Sequence, residues 1–342
     1  MKFVFLFLTF LIFVQSIYAN SSAVVFIYHR FGESKYPSTN IRMEQFKEHL
    51  EYLKKNNFNV WPLSQIIKHI QEKKDIPPKT VAITMDDAYK SVYTKAYPLL
   101  REMNYPFTVF VHTSAISKAS NSYMDWEDMK EMLKDGAEFS SHSYTHDYIL
   151  PLKNETKNEW QKRIKNELTN AQKELQKELG EDTNTDPKMI AYPYGEYTQE
   201  SAKYIRSLGY VGIAQTSGAI SFESDLKAIP RFPMSEIFGE IKSFALKANT
   251  LALPVVSEYP NNTIADNIEA PRLRIKLTED IRGMNCFTAD GEAIDIKWLS
   301  KLEARISAKK PLNTPRDRYT CTARHSSGRW YWYSHLWIVK DD

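Results

Sequence analysis

The sequence lacks the features that mark redox, nucleotide-binding and nucleic-acid-binding proteins. Its 342 residues include only two cysteines, Cys286 and Cys321, and its net charge of +3 is too weak to indicate a nucleic-acid partner. No glycine-rich phosphate turn follows the first predicted strand, which argues against a dinucleotide-binding domain. The apolar stretch Phe3–Val14 falls short of the ~20 residues that a membrane span needs. We also find no internal repeats.

The N-terminus resembles a secretory signal peptide. Lys2 precedes the apolar stretch Phe3–Val14, and the small residue Ala19 follows a few positions later. We therefore expect residues 1–19 to be a signal peptide and the mature chain to be periplasmic or secreted, with no stable membrane span after cleavage. The alternative is an uncleaved N-terminal anchor, because Ile17 is larger than the residue usually found at that position.

Export changes the interpretation of the two cysteines. Cys286 and Cys321 both lie in the last quarter of the chain. In an oxidising compartment, two cysteines within one small domain predict a disulfide, although two buried free thiols are the alternative. Neither cysteine is near the polar motifs described below, which argues against thiol catalysis.

Residues 20–251 alternate between strand-like and helical patterns. The predicted strands are Val24–Tyr28, Phe58–Trp61, Thr80–Thr84, Phe107–Val111, Ala137–Ser140, Met189–Tyr192, Tyr210–Ala214 and Lys227–Arg231. Most are separated by segments of helical period, such as Met43–Asn56 and Lys157–Leu179. Eight strands alternating with helices predict a parallel sheet and, at this length, a (β/α) barrel. An open doubly wound sheet is the alternative.

The sequence pattern changes after this α/β region. We predict a linker over residues 252–271 and a small all-β domain over residues 272–342, with sandwich architecture, because the strands are short and no helical period appears. Its segment Trp330–Trp337 alternates aromatic residues on both faces of one strand. One face is expected in the sandwich core. The other predicts either a platform for sugar rings or a face that packs on the barrel.

Three polar motifs follow predicted strands of the α/β region. They are Thr84-Met85-Asp86-Asp87, His142-Ser143-Tyr144-Thr145-His146 and Ala191-Tyr192-Pro193-Tyr194-Gly195. Catalytic residues of a barrel cluster at the carboxyl ends of its strands. Together the motifs offer metal ligands, a base beside the metal and a backbone oxyanion donor, which is a sufficient set for metal-assisted hydrolysis.

Each motif also has an ordinary structural interpretation. Asp86 and Asp87, on extended backbone, should point to opposite sides, so one can bind a metal while the other acts as a base. Alternatively, they cap a helix or form an exposed acidic turn. His142 and His146 can face one point if the backbone makes a helical turn, and with one carboxylate they suit catalytic zinc or another divalent transition metal. Core or surface histidines are the alternative.

Two further elements complete the candidate site. The turn at Pro193 and Gly195 can present the Tyr194 amide to a developing oxyanion, although it is also a plain turn. His29 follows the first strand and has a suitable pKa for donating a proton to a leaving group, although a structural role is equally compatible with the sequence.

On these residues the chain resembles the polysaccharide deacetylases with a NodB homology domain, carbohydrate esterase family four. The segment Thr84–Ala88 is close to the family motif T-F-D-D-G, and His142–His146 is similar to its histidine motif. The segment Tyr192–Gly195 matches the family's third motif, but Ala191 stands where that motif has arginine. The N-terminal Tyr28-His29 is similar to the branch that contains the poly-β-1,6-N-acetylglucosamine deacetylases.

The resemblance implies a distorted (β/α) barrel and a role for each matching residue. Asp86 resembles the general base, His29 the acid, and Tyr194 the oxyanion donor. The implied zinc ligands are Asp87, His142 and His146. We expect Arg231 to take the place of the missing arginine. The expected substrate contacts are Tyr192, Pro193 and Trp126.

The implied reaction is metal-dependent N-deacetylation of N-acetylhexosamine residues in a polysaccharide that contains N-acetylglucosamine, with release of acetate. Two alternatives remain open on sequence grounds. One is a catalytically impaired sugar-binding protein on the same scaffold, and the other is a deacetylase or esterase with a different acetylated substrate. The sequence does not specify an oligomeric state.

Overall fold

The computed structural model describes residues 22–118, 120–180, 186–266, 269–312 and 314–339. The predicted signal peptide, residues 1–19, lies outside the described residues. Within these ranges no helix combines the length and the apolar character that crossing a bilayer requires.

The N-terminal two-thirds of the chain form a mainly parallel sheet with helices packed around it. The strands are β1 (Ala23–Tyr28), β2 (Arg30–Phe31), β3 (Asn40–Ile41), β4 (Asn59–Val60), β5 (Thr80–Asp86), β6 (Phe107–Val111), β7 (Ala137–Ser141), β8 (Met189–Ala191), β9 (Val211–Ile213), β10 (Ala219–Ile220) and β11 (Phe232–Pro233). The helices are α1 (Met43–Lys55), α2 (Leu63–Gln71), α3 (Tyr97–Glu102), α4 (Thr113–Ile116), α5 (Trp126–Leu133), α6 (Lys157–Leu179), α7 (Gln199–Ser207) and α8 (Ile241–Ala248).

The order of the strands gives the sheet the form of a distorted barrel. The path runs β10-β1-β5-β6-β7-β8-β9, with β11 beside β1 and β4 beside β5, and only β10 is antiparallel to its neighbour. Strands β1 and β5 are buried along their whole length, as expected of strands covered on both faces. The predicted α/β barrel is therefore confirmed.

The barrel closes differently from the sequence prediction. The predicted eighth strand, Lys227–Arg231, is wrong: Ile229 makes only an isolated bridge to Ile213 of β9, and the strand proper is Phe232–Pro233. This strand pairs with Phe26 and Ile27 of β1. Proline has no N–H to donate, so Pro230 and Pro233 limit regular pairing here. The segment 229–233 thus bridges the two edges of the sheet.

The C-terminal third is an all-β sandwich. Its strands are β12 (Leu251–Ala252), β13 (Val255–Tyr259), β14 (Ile264–Ala265), β15 (Arg272–Leu277), β16 (Asn285–Phe287), β17 (Asp295–Trp298), β18 (Glu303–Ser307), β19 (Arg316–Arg324) and β20 (Trp330–Val339). One sheet has the order β12-β20-β19-β16 with β14 beside β20, and the other has the order β13-β15-β18-β17. The two sheets share a buried apolar core.

Two sequence predictions on this region have different outcomes. The disulfide between Cys286 and Cys321 is confirmed and joins paired residues of β16 and β19. The linker predicted over residues 252–271 is wrong, because β13 and β14 lie within it and belong to the two sheets. Its prolines and asparagines mark the turns between these short strands.

Strand β20 uses its two faces differently. Tyr331, Tyr333 and Trp337 pack with the sandwich core. On the opposite face, Trp332 packs against the barrel core, with its ring edge-on to Phe232 at 5.1 Å. Leu336 and Ile338 join a second barrel cluster. The barrel therefore contacts the face that was predicted as either a sugar-stacking platform or a packing surface, and these contacts support the packing alternative.

We predict that Trp332→Ala destabilises the chain by about 3 kcal/mol, because it removes a large ring from the contact between sandwich and barrel. Urea unfolding followed by tryptophan fluorescence measures the change. Trp330→Ala is the matched control, because Trp330 lies two residues before Trp332 on the same strand and packs beside Arg324. If the Trp332 variant keeps its stability but is retained more weakly on a polysaccharide resin, Trp332 belongs to a sugar-stacking platform instead.

Candidate active site and metal centre

The polar residues of the three motifs meet at one edge of the barrel. Asp86 ends β5, and His142 follows the last residue of β7. His29 follows β1, and the turn Pro193–Gly195 follows β8. Because parallel strands end at the same edge of the sheet, segments that are distant in sequence become neighbours there.

A buried ion pair forms the floor of the site. Arg231 Nη1 and Nη2 donate to the two carboxylate oxygens of Asp86 at 2.7 and 2.8 Å, and both side chains have 0% exposure. Arg231 also donates to the Thr84 hydroxyl at 3.1 Å and to the Ala214 carbonyl at 2.9 Å. Burial opposes ionisation of Asp86, but the facing guanidinium outweighs it and lowers the pKa of the carboxyl. The expected contact between Arg231 and Asp86 is therefore present.

Three side chains form a compact donor set beside this pair. Asp87 Oδ1 lies 3.4 Å from Nε2 of both His142 and His146, and the two imidazole nitrogens are 3.2 Å apart. One donor atom from each residue lies within 4.8 Å of the others. Two imidazole nitrogens and one carboxylate oxygen, with positions left open, are the ligands of catalytic zinc sites. The donor chemistry thus fits a divalent transition metal.

The backbone brings Asp86 and Asp87 to the same side. The prediction that the two carboxylates point in opposite directions is wrong, since Asp86 Oδ2 is 3.9 Å from the same His142 nitrogen that faces Asp87. Asp87 and Ala88 adopt left-handed conformations, with φ of 72° and 54°. The chain therefore leaves the extended conformation at Asp87, and alternation of side chains no longer applies.

The two histidines face one point without the helical turn that the sequence interpretation named as the condition. Ser143 and His146 have φ of 65° and 67°, and the Ser143 hydroxyl accepts the His146 amide at 2.9 Å. The sequence analysis missed Glu167 of α6. Its carboxylate accepts hydrogen bonds from the backbone amides of Tyr144 and Thr145 at 3.0 and 2.8 Å and from the Thr145 hydroxyl at 3.0 Å. This nearly buried carboxylate anchors the loop between the two imidazoles. The only sequence signal for the role of Glu167 was its place on the inner face of a long predicted helix.

Hydrogen bonding, burial and charge set the orientation and the pKa of the two imidazoles. His142 Nδ1 donates to the Ala191 carbonyl at 2.8 Å, which leaves Nε2 directed at Asp87. Burial disfavours protonation of His142, but the carboxylates of Asp86 and Asp87 outweigh it and raise the pKa of His142. Burial and the neighbouring His142 lower the pKa of His146 to about 4. The pKa of Asp87 is held far below its usual range despite burial, chiefly by His142.

The turn after β8 exposes one residue and buries its neighbours. Tyr194 has φ of 59° and ψ of 3°, and the residue is 38% exposed, with its ring edge-on to His146 at 4.7 Å. No described group accepts a hydrogen bond from its backbone amide. Tyr192 has 0% exposure and donates its hydroxyl to the Lys227 carbonyl, and Pro193 is buried. Both residues pack in the wall behind the turn, so their burial does not support the predicted contact of Tyr192 and Pro193 with substrate.

Two predicted residues remain, His29 and Trp126, and a further histidine, His112, lies beside the donor set. His29 is half-buried, and the charges of Asp86 and Asp87 act on it, although burial lowers its pKa overall. His112 faces His146 with a ring separation of 5.3 Å. Trp126 is the first residue of α5 and packs half-buried against the barrel core, so this contact does not support its predicted role with substrate.

Aromatic side chains that the sequence analysis did not select flank the site on two sides. Tyr148 is 47% exposed and stacks on Tyr194 at 4.5 Å. On the other side Tyr89 stacks on Tyr123 at 5.3 Å, and the Arg30 guanidinium lies 3.4 Å from the Tyr89 ring centre. Flat, partly exposed rings are surfaces to which sugar rings can bind. Their sequence positions alone gave no such signal.

Comparison with known proteins identifies a family that matches part of this chain. Residues 73–213 match the family model for polysaccharide deacetylases. The chain carries a polysaccharide deacetylase domain. It is 28% identical over 216 residues to the poly-beta-1,6-N-acetyl-D-glucosamine N-deacetylase of Staphylococcus aureus, which covers 62% of this chain and 73% of the relative. It is 26% identical over 212 residues to the putative polysaccharide deacetylase YxkH of Bacillus subtilis, covering 62% and 71%.

Solved structures share the fold of the deacetylase domain. The Streptococcus pyogenes deacetylase PplD in complex with acetate superposes with a TM-score of 0.58 at 20% identity, over 66% of this chain and 98% of that one. IcaB from Ammonifex degensii superposes with a TM-score of 0.56 at 24% identity, over 67% and 97%. Members of this family hydrolyse amide bonds, so the deacetylase domain belongs to an enzyme class with the predicted chemistry.

We predict that Arg231→Met destabilises the deacetylase domain by about 3–5 kcal/mol, because Asp86 would remain charged and buried without its partner. Equilibrium urea unfolding at pH 7 measures the loss. The control is Arg101→Met, since Arg101 is 59% exposed and pairs with Asp135 at the surface; its cost should stay below about 1 kcal/mol. Equal losses in the two variants would show that the buried pair does not stabilise the fold.

Proposed function

We propose that this chain is a metal-dependent N-deacetylase that removes acetyl groups from N-acetylhexosamine residues of a polysaccharide. The observation that carries the proposal is the donor set of Asp87, His142 and His146, which lies beside a second carboxylate, Asp86, that Arg231 holds in place. One carboxylate can therefore bind a metal while the other stays available for proton transfer.

The relatives support the class of substrate. The Staphylococcus aureus relative is named for the β-1,6-linked polymer of N-acetylglucosamine. The partly exposed rings of Tyr148, Tyr194, Tyr89 and Tyr123 beside the donor set also suit a polymer of sugars. We therefore favour a polysaccharide that contains N-acetylglucosamine over other acetylated compounds.

Asp87, His142 and His146 would hold the metal, and zinc is the ion that this donor set suits best. When bound, such an ion acts as a Lewis acid and lowers the pKa of water toward ~7. The hydrogen bond from His142 to the Ala191 carbonyl supports this arrangement, because it fixes which ring nitrogen faces Asp87.

The chain's own residues would then divide the proton transfers and the charge stabilisation. Asp86 stays ionised because Arg231 faces it, so it can accept a proton from the attacking water. The backbone amide of Tyr194 would donate to the oxyanion that forms on the acetyl carbonyl. His29, near both aspartates, would protonate the amine as acetate leaves. Each event adds a free amine, and so a positive charge, to the polymer.

We infer the place of action from the N-terminal sequence. Lys2, the apolar stretch Phe3–Val14 and Ala19 support export and removal of residues 1–19. A periplasmic or secreted enzyme would meet its polymer outside the cytoplasm. This part of the proposal is tested by N-terminal sequencing of the exported protein, which should begin at Asn20.

We predict acetate release by residues 20–342 from oligomers of N-acetylglucosamine, abolished by a chelator and restored by zinc. β-1,6- and β-1,4-linked oligomers should be compared, and the preferred linkage identifies the polymer class. Asp86→Asn should lower kcat by about 10²–10⁴-fold in the protein that stays folded, because the base is lost but the zinc ligands remain. This variant also leaves Arg231 buried without its charge partner, so its zinc content is measured on the folded protein. Coupled enzymatic detection of acetate measures the rate.

Two further variants make this test specific. His146→Ala should lose both zinc and activity, whereas His69→Ala, on α2 and hydrogen-bonded to the Asp75 carbonyl, should lose neither. No release from either oligomer by the zinc-loaded wild type would contradict the proposed substrate. Release that persists after all metal has been removed would contradict the proposed mechanism.

A further inference from the structure

The turn that carries Tyr194 is held by residues of the C-terminal sandwich. Arg316, the first residue of β19, donates from Nη1 to the Tyr194 carbonyl at 2.6 Å. Its Nε lies 3.5 Å from the Glu196 carboxylate. The Thr263 hydroxyl donates to the Tyr197 carbonyl at 2.5 Å. The sandwich therefore contacts this four-residue segment of the barrel, 194–197, at three points.

This turn needs external support because of its conformation. Tyr194 adopts φ of 59°, which residues other than glycine seldom adopt. Gly195 follows with φ of 73°, and a Cβ there would lie 2.8 Å from the Gln215 side chain. A hydrogen bond to the Tyr194 carbonyl restrains ψ of this residue, and the buried Pro193 fixes the chain before it. Together they determine where the Tyr194 amide and ring point.

The backbone of Arg316 is connected to the barrel through paired strands of the sandwich. Its backbone pairs with Ile338 of β20, and Ile338 packs in the same barrel cluster as Tyr197. Thr263 lies beside this contact, because its carbonyl accepts the Ile338 amide at 2.6 Å. The path from the barrel core to the Arg316 backbone thus runs through paired strands. The Arg316 side chain is 49% exposed and reaches the turn through its contacts with Tyr194 and Glu196.

We propose that Arg316 is a positioning residue for the deacetylation site, and that the sandwich thereby completes the active site of the barrel. The inference rests on the proposed function, in which the Tyr194 amide donates to the oxyanion. Arg316 touches neither the donor set nor Asp86 and acts through the Tyr194 carbonyl. It is contributed by a domain that lies outside residues 73–213, the segment matched by the family model.

The test compares Arg316→Ala and Arg316→Lys with the wild type. We expect Arg316→Ala to lower kcat about tenfold with KM and zinc affinity nearly unchanged, because displacement of a transition-state donor affects the chemical step. Arg316→Lys keeps a donor and a charge and should recover part of the loss. Glu196→Gln removes the ion pair but leaves the bond to Tyr194, so it should keep most of the activity.

A second readout does not depend on activity. Hydrogen–deuterium exchange of the peptide that contains residues 194–197 should be faster in Arg316→Ala than in the wild type. Lys310→Ala is the matched control, since Lys310 pairs with Glu292 on the sandwich surface and does not contact the turn. Its kcat and exchange should equal those of the wild type.

The two readouts separate failure of this inference from failure of the proposed function. Unchanged exchange at residues 194–197 in Arg316→Ala would overturn the inference, whether or not the wild type releases acetate. Faster exchange with full kcat in an active enzyme would also overturn it, because the turn would move without affecting the chemistry. A wild type without acetate release, but with faster exchange in the variant, would leave the positioning role intact and reject only the proposed reaction.

Discussion

The buried ion pair between Asp86 and Arg231 is the constraint on which the rest of the site depends. A fully buried charge is strongly unfavourable unless an oppositely charged group pairs with it in good geometry. Here Arg231 pairs with Asp86 through two parallel hydrogen bonds. The pair joins the end of β5 to the segment 229–233, which bridges the two edges of the sheet. The same contact therefore closes the barrel, keeps Asp86 ionised and fixes the point from which Asp87 departs.

The site is consequently built from two kinds of support. Paired strands deliver Asp86 and His142 to one edge, and their positions follow from the sheet. The other groups lie on irregular backbone and depend on added contacts: Glu167 for the loop to His146 and Arg316 for the turn at Tyr194. In such irregular segments a side chain can be exposed to substrate while added contacts fix its position, and the interior of a strand does not offer this combination.

The sequence allowed the fold class and the clustering of the motifs to be predicted, because both follow from strand periodicity and from the common edge of parallel strands. The contact of Arg231 with Asp86 could be expected for the same reason. The local backbone conformation could not be predicted, because the spacing of His142 and His146 does not distinguish a helical turn from a loop with two left-handed residues. The burial of Tyr192 and the docking of β20 depend on long-range packing, which no local pattern encodes.

The central claim is that Asp87, His142 and His146 bind one metal while Asp86 remains with Arg231. Anomalous X-ray diffraction at the zinc edge, from crystals of the zinc-loaded protein, tests it most directly. The account predicts one anomalous peak about 2.0–2.2 Å from one carboxylate oxygen of Asp87 and from Nε2 of both histidines, with both oxygens of Asp86 still on Arg231. A peak bound by Asp86, with Arg231 displaced, or a peak away from these three ligands would contradict it.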